Sequence, residues 1–122
     1  MWVEYNVNPT GKSVGDCVIR AISAAMGTEW ERTYLDMAIQ GLLMYNMPSA
    51  NEVWGEFLRH KGYRRTLPPE DCRTVADFCR MYPKGRYILA LSEHVVAAIN
   101  GDWYDIWDSG GETVIYIWAK ED

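Results

Sequence analysis

The chain is poor in the residues that most binding chemistries need. It has two histidines, His60 and His94, and three cysteines, Cys17, Cys72 and Cys79, at no repeated spacing. A zinc site would have to be assembled from distant positions, so neither a metal nor a cofactor is expected. An odd number of cysteines without a framework spacing predicts free thiols in a reducing compartment. Positive charge is scarce too: 12 basic against 17 acidic residues give a net charge of −5. Affinity for phosphate comes mainly from clustered Lys and Arg, and the one basic cluster, Arg59 to Arg65, reads as a helix end; this argues against a nucleic-acid or anionic-membrane partner. No apolar run approaches the ~18 residues of a membrane span. The opening MWVEYNVNP has neither the charged nor the apolar region of an export signal, so a soluble, cytoplasmic protein is expected. Internal repeats, low-complexity segments and linkers are missing as well, and 122 residues predict a single domain, 1–122.

What the chain does have is material for a core: 48% hydrophobic residues, with six Trp and eight Tyr. Its first part is punctuated as helices. Met1 to Val7 alternates like a short strand, with Val3, Tyr5 and Val7 on one face, and Asn8-Pro9-Thr10-Gly11 breaks it. A helix is predicted from Cys17 to Met26, with Asp16 placed to cap it and Gly27 to stop it. Thr28 to Glu31 has a capping-box pattern opening a second helix, whose buried stripe would be Trp30, Tyr34, Met37 and Ala38. Ser49 to Glu52 repeats that pattern for a third, with Val53, Trp54, Phe57 and Leu58 inward and Gly62 as its stop. Tyr63 to Leu67 reads as a short strand, and Thr74 to Asp77 caps a fourth helix that Pro83 ends. From Arg86 on, strands follow one another: Tyr87–Leu91, His94–Ile99, Trp103–Trp107 and Val114–Trp118. Helices first and antiparallel strands second is an α+β layout.

Few residues in this pattern can do chemistry. A thiol in the first turn of a helix lies near free backbone N–H groups and the positive end of the helix dipole, which favour its reactive thiolate, and Cys17 is so placed. Cys72 lies in a charged loop and Cys79 in mid-helix, where a small hydrophobe is the simpler reading. His60 suits a helix C-terminus. His94, by contrast, heads the apolar strand Val95 to Ile99, a place for an imidazole with a partner. That partner depends on the turn after Ile99. A two-residue Asn100-Gly101 turn leaves Asp105 on the histidine's face as a diagonal neighbour at roughly 7 to 8 Å between backbones. A three-residue loop through Asp102 pairs His94 directly with Asp108.

GDCVIRAI resembles the nucleophile helix of the papain-like cysteine peptidase superfamily, and GRYILALSEHVVAAINGDWYDIWDS is similar to its strand, His, strand, turn, strand, Asn/Asp block. WYDIWDS looks like the return strand of papain and of Josephin-type deubiquitinases, and the apolar strand near the His is similar to bacteriocin-processing transporter peptidases. The resemblance covers about residues 13 to 26 and 85 to 118 and follows the superfamily's chain order. It implies a papain-like α+β fold in which N-terminal helices, the nucleophile helix among them, pack on a C-terminal antiparallel sheet. It further implies a cysteine-dependent hydrolase cleaving an amide, peptide or isopeptide bond of a protein or peptide substrate. Cys17 would be the nucleophile, His94 the general base and acid, and Asp108 the orienting residue, with Asp105 the alternative. The superfamily's upstream glutamine, which lines the oxyanion hole, has no counterpart among Gly11, Lys12 and Ser13; this leaves the Cys17 backbone N–H and, as nearest upstream amide, Asn8. Two other functions fit the same resemblance: acyl transfer to an amine, as in transglutaminase relatives, and a papain-like fold serving as a non-catalytic binding or assembly module, such as a phage component.

Overall fold

The computed structural model describes residues 1–120. The chain order is β1 (Trp2–Glu4), α1 (Cys17–Met26), α2 (Trp30–Met44), α3 (Asn51–His60), β2 (Tyr63–Thr66), α4 (Val75–Met81), β3 (Arg86–Leu91), β4 (His94–Ile99), β5 (Asp102–Asp105) and β6 (Tyr116–Lys120). The strands form one sheet in the order β1-β5-β4-β3-β6-β2. The α+β class is as expected, but the sheet is mixed rather than purely C-terminal and antiparallel. β1 joins one edge in parallel with β5, and β2, which lies between helices in the sequence, closes the other edge against β6.

The continuous apolar runs of β3 and β4 follow from burial on both faces. Ile88, Ala90, Val95, Ala97 and Ile99 face a core built with α1, α2 and α3, in which Ala21, Ile22, Met37, Trp54 and Leu58 are buried. Leu89, Leu91, Val96 and Ala98 face the other way, onto Val75, Phe78 and Cys79 of α4 and onto Val114 and Ile117. Alternate residues of the same strands thus serve two cores. Cys72 and Cys79 lie in the second, as small buried hydrophobes.

Helix starts deviate most from expectation. Thr74 does cap α4, its hydroxyl accepting from the Asp77 N–H while the Asp77 carboxylate accepts from the Thr74 N–H. Asp16, Thr28 and Ser49 cap nothing. The Asp16 carboxylate goes to the stronger, charge-assisted partner Arg20 and to the Trp30 indole. Thr28 and Ser23 both bond the Thr33 hydroxyl, tying α1 to α2. Met37 is buried as expected, but Tyr34 is 53% exposed and stacks on Trp30 at the surface. At the C-terminal end, β5 stops at Asp105 instead of Trp107, because the Asp105 carboxylate accepts the Ile106 N–H and turns the chain. β6 starts at Tyr116 instead of Val114, whose N–H goes to the Arg73 carbonyl.

Candidate active site

Three chain segments converge at one end of the central strands: the first turn of α1, the start of β4 and the end of β5. α1 forms because its small and apolar residues, Val18, Ala21, Ile22 and Ala25, fall on one face that packs across β3 and β4. This packing sets Cys17, the first residue of α1, against His94, the first residue of β4.

The β4–β5 turn decides which aspartate completes the group. Asn100 and Gly101 both have left-handed backbones, with φ of 49° and 85°, and Ile99 pairs with Asp102. This is the tight two-residue turn that Asn-Gly favours, because neither residue resists positive φ and the turn's twist matches that of the strands. Ala97 therefore opposes Tyr104, and Asp105 falls on the histidine's face. The expected pairing of His94 with Asp108 is not what forms: His94 Nε2 lies 2.5 Å from Asp105 Oδ2. The diagonal separation is bridged because Nε2 is the far end of a long ring. Asp108 instead accepts from the Trp103 indole at 2.9 Å and from the Gly110 N–H at 3.0 Å, holding the turn after β5. Gly110 is needed there, since a Cβ would come within 2.4 Å of the Trp103 ring.

Asp105 is only 1% exposed and its carboxylate is saturated. Besides His94, Oδ2 accepts from the Ser109 hydroxyl at 2.8 Å; Oδ1 accepts from Arg20 Nη1 at 3.0 Å and from the Ile106 N–H at 2.8 Å. Arg20 is itself buried and donates through Nε to Asp16 at 2.8 Å. The line Asp16, Arg20, Asp105, His94, Cys17 thus alternates in charge when the thiol is ionised. Trp107, opposite His94, lays its ring 4.9 Å from the imidazole and covers it.

The ionisation of the group follows from these contacts. Burial disfavours the Cys17 thiolate, but hydrogen bonding and charge from His94, the Val95 backbone N–H and the nearby Arg20 outweigh it and hold the thiol below its ordinary value. Burial likewise disfavours the His94 imidazolium, and Asp105 and Cys17 together overcome it, raising His94 to about 9. Asp105 is lowered in spite of burial by His94 and Ser109. Cys79 is pushed up to about 11 by burial, which the chain's N-terminal ammonium offsets only in part, and Cys72 is raised as well. With Nε2 committed to Asp105, Nδ1 is the ring nitrogen left for Cys17.

The Cys17 N–H lies in the first turn of α1, where the N–H groups of a helix have no intrahelical acceptor. Asn8 does not line the site: its Oδ1 accepts from the Thr10 N–H and hydroxyl, closing the loop after β1. The thiol and imidazole open onto a cleft of about 580 Å3, floored by Trp54 and Tyr116 and walled by Ser49, Asn51 and the β3–β4 turn. Among the described residues no cluster of His, Cys, Asp and Glu is arranged to hold a metal ion, and no helix is long and apolar enough to cross a membrane. Sequence reasoning missed Arg20, Ser109, Trp107 and Asn51. Arg20 alone left a signal, as the single charge in the apolar run Val18 to Ala25, one helical turn after Asp16.

Compared with known proteins, the chain matches no protein-family model, and neither a curated protein nor a solved structure matches it.

Proposed function

We propose that this protein is a cysteine-dependent hydrolase of papain-like kind, acting on an amide, peptide or isopeptide bond of a protein or peptide substrate. The observation that carries this reading is the joined set Cys17, His94 and Asp105, with a lowered thiol beside a raised imidazole. Such opposite shifts are those of a thiolate–imidazolium pair at neutral pH, for which a core cysteine has no use. In the proposed reaction the Cys17 sulfur attacks the carbonyl carbon, and the oxyanion that forms accepts from the Cys17 N–H. The C–N bond breaks as His94 gives its proton to the leaving amine, which leaves a thioester on Cys17. A water molecule, losing a proton to His94, attacks the thioester; the C–S bond breaks, the carboxylic acid leaves and gives its remaining proton to solvent, and the thiolate is restored beside the imidazolium. Asp105 keeps the imidazole oriented throughout and favours its protonated form before and after the thioester, and the buried Arg20 holds Asp105 in place. Three free thiols suit a reducing, cytoplasmic setting.

One observation favours the non-catalytic alternative of a binding or assembly module. The outer side of α2 and the loop after it expose Leu35, Ile39, Leu42, Leu43, Tyr45 and Met47, a patch suited to a protein partner. The test that separates the two is alkylation with iodoacetamide at neutral pH, read by peptide mass spectrometry, together with release of aminocoumarin from a panel of peptide amides. The hydrolase reading expects Cys17 to be labelled far ahead of Cys72 and Cys79, and release that disappears in Cys17→Ala. Labelling of the three thiols at similar rates would sink it and leave the binding module.

A further inference from the structure

We infer that Asn51 is a substrate-binding residue, its side-chain Nδ2 donating a hydrogen bond to a main-chain carbonyl of a peptide lying in the cleft; this rests on the hydrolase reading above. Asn51 is the first residue of α3, remote in sequence from Cys17 and His94, yet it lines the same cleft. Its orientation is fixed. The indole of Trp54, one helical turn on and 1% exposed, donates through Nε1 to Asn51 Oδ1 at 3.1 Å. An indole N–H can only donate, so the amide atom facing it must be the oxygen, and the opposite atom is the Nδ2 donor. Among the described residues Nδ2 has no acceptor.

The location of this donor matches the cleft's need. A peptide bond presented to Cys17 brings with it the carbonyls of its neighbours, and each is an acceptor that must replace lost water. Ser49, Ser92 and Asn51 are all exposed in the cleft, but the Asn51 amide is anchored by a hydrogen bond from a buried ring packed among Tyr116 and Trp118. A donor positioned before substrate arrives costs less ordering on binding than one that must be fixed by it. Nor does Asn51 serve the helix, since no side chain caps α3 and the Val53 and Trp54 N–H groups bond the Ala50 carbonyl.

The test compares two reagents on Cys17, each rate divided by that of glutathione: iodoacetamide, which needs only the thiolate, and a set of peptidyl chloromethyl ketones, which carry main-chain carbonyls. Wild type should show a larger enhancement with the peptidyl reagents. Asn51→Ala and Asn51→Asp should each lower the peptidyl enhancement roughly tenfold, the effect of one well-placed hydrogen bond, and change the iodoacetamide enhancement less than about twofold. Asn51→Asp keeps an oxygen for Trp54 while removing the donor, so it separates the donor from the packing, and iodoacetamide corrects for the added charge. If both variants keep the wild-type peptidyl enhancement, or wild type shows none, Asn51 is not a substrate ligand. If Cys17 shows no preference over the other thiols toward iodoacetamide, the hydrolase reading itself fails first.

Discussion

Cys17 and Cys79 sit on opposite faces of the same sheet, and the contrast between them shows what makes a thiol reactive. Both are largely buried members of helices, and burial alone raises both. Cys79, in mid-helix among Val75, Phe78 and Leu89, is dominated by burial, has no imidazole beside it and is pushed up to about 11. Cys17, at a helix start, has a cationic ring beside it, and the ring is kept cationic by a carboxylate that is itself paired with a buried guanidinium. The difference is made by a chain of paired charges reaching from one core helix to the sheet edge, and little of it by depth.

Removing the thiol breaks the comparison outright. Cys17→Ala should abolish hydrolysis of any peptide amide that the wild type cleaves, while circular dichroism shows an intact, cooperatively melting fold. The next largest effect separates the two aspartates. Asp105→Ala should lower turnover by about 10²- to 10⁴-fold, since the imidazole loses its orientation and charge. Asp108→Ala should stay within about threefold, and Asp105→Asn should fall between because an amide oxygen still accepts from His94. Equal losses from the two alanine variants would mean that the hydrogen bond to Asp105 has no catalytic weight. On labelling, Cys17 should outpace Cys79 toward iodoacetamide by ~100-fold at pH 7, and His94→Ala should remove most of that lead.

Arg20 tests the link between the charges and the fold. Arg20→Met leaves Asp16 and Asp105 buried without their common cation, which should destabilise the protein by about 3 kcal/mol in urea unfolding and depress labelling of Cys17. Unchanged stability would show that water replaces the guanidinium freely. The smallest expected effect is on pH dependence. Hydrolysis needs a thiolate and an imidazolium together, so it should rise as pH passes upward through the lowered Cys17 value and fall as His94 loses its proton near 9. An ascending limb centred at the ~8.5 of an ordinary thiol would contradict the lowered Cys17.

The sequence by itself determined the helices and strands and which residues could carry chemistry. Periodicity located α1 to α4, β3 and β4, because burying an apolar face requires the apolar residues to repeat at 3.6 or to run unbroken through a doubly covered strand. It singled out Cys17 and His94 for a similarly local reason: a thiol at a helix start and an imidazole heading an apolar strand are unusual placements. The tertiary structure decided what depends on register and on competition between partners. Asp105 rather than Asp108 meets His94 because a two-residue turn was taken instead of a three-residue one, and one residue of register moves a side chain to the other face. Asp16 left its cap because Arg20 and Trp30, one helical turn and one helix away, offered better donors. Asn51 entered the cleft because α3 packs its Trp54 under the site, and no local pattern marks an amide whose orientation is set by a ring buried in the core.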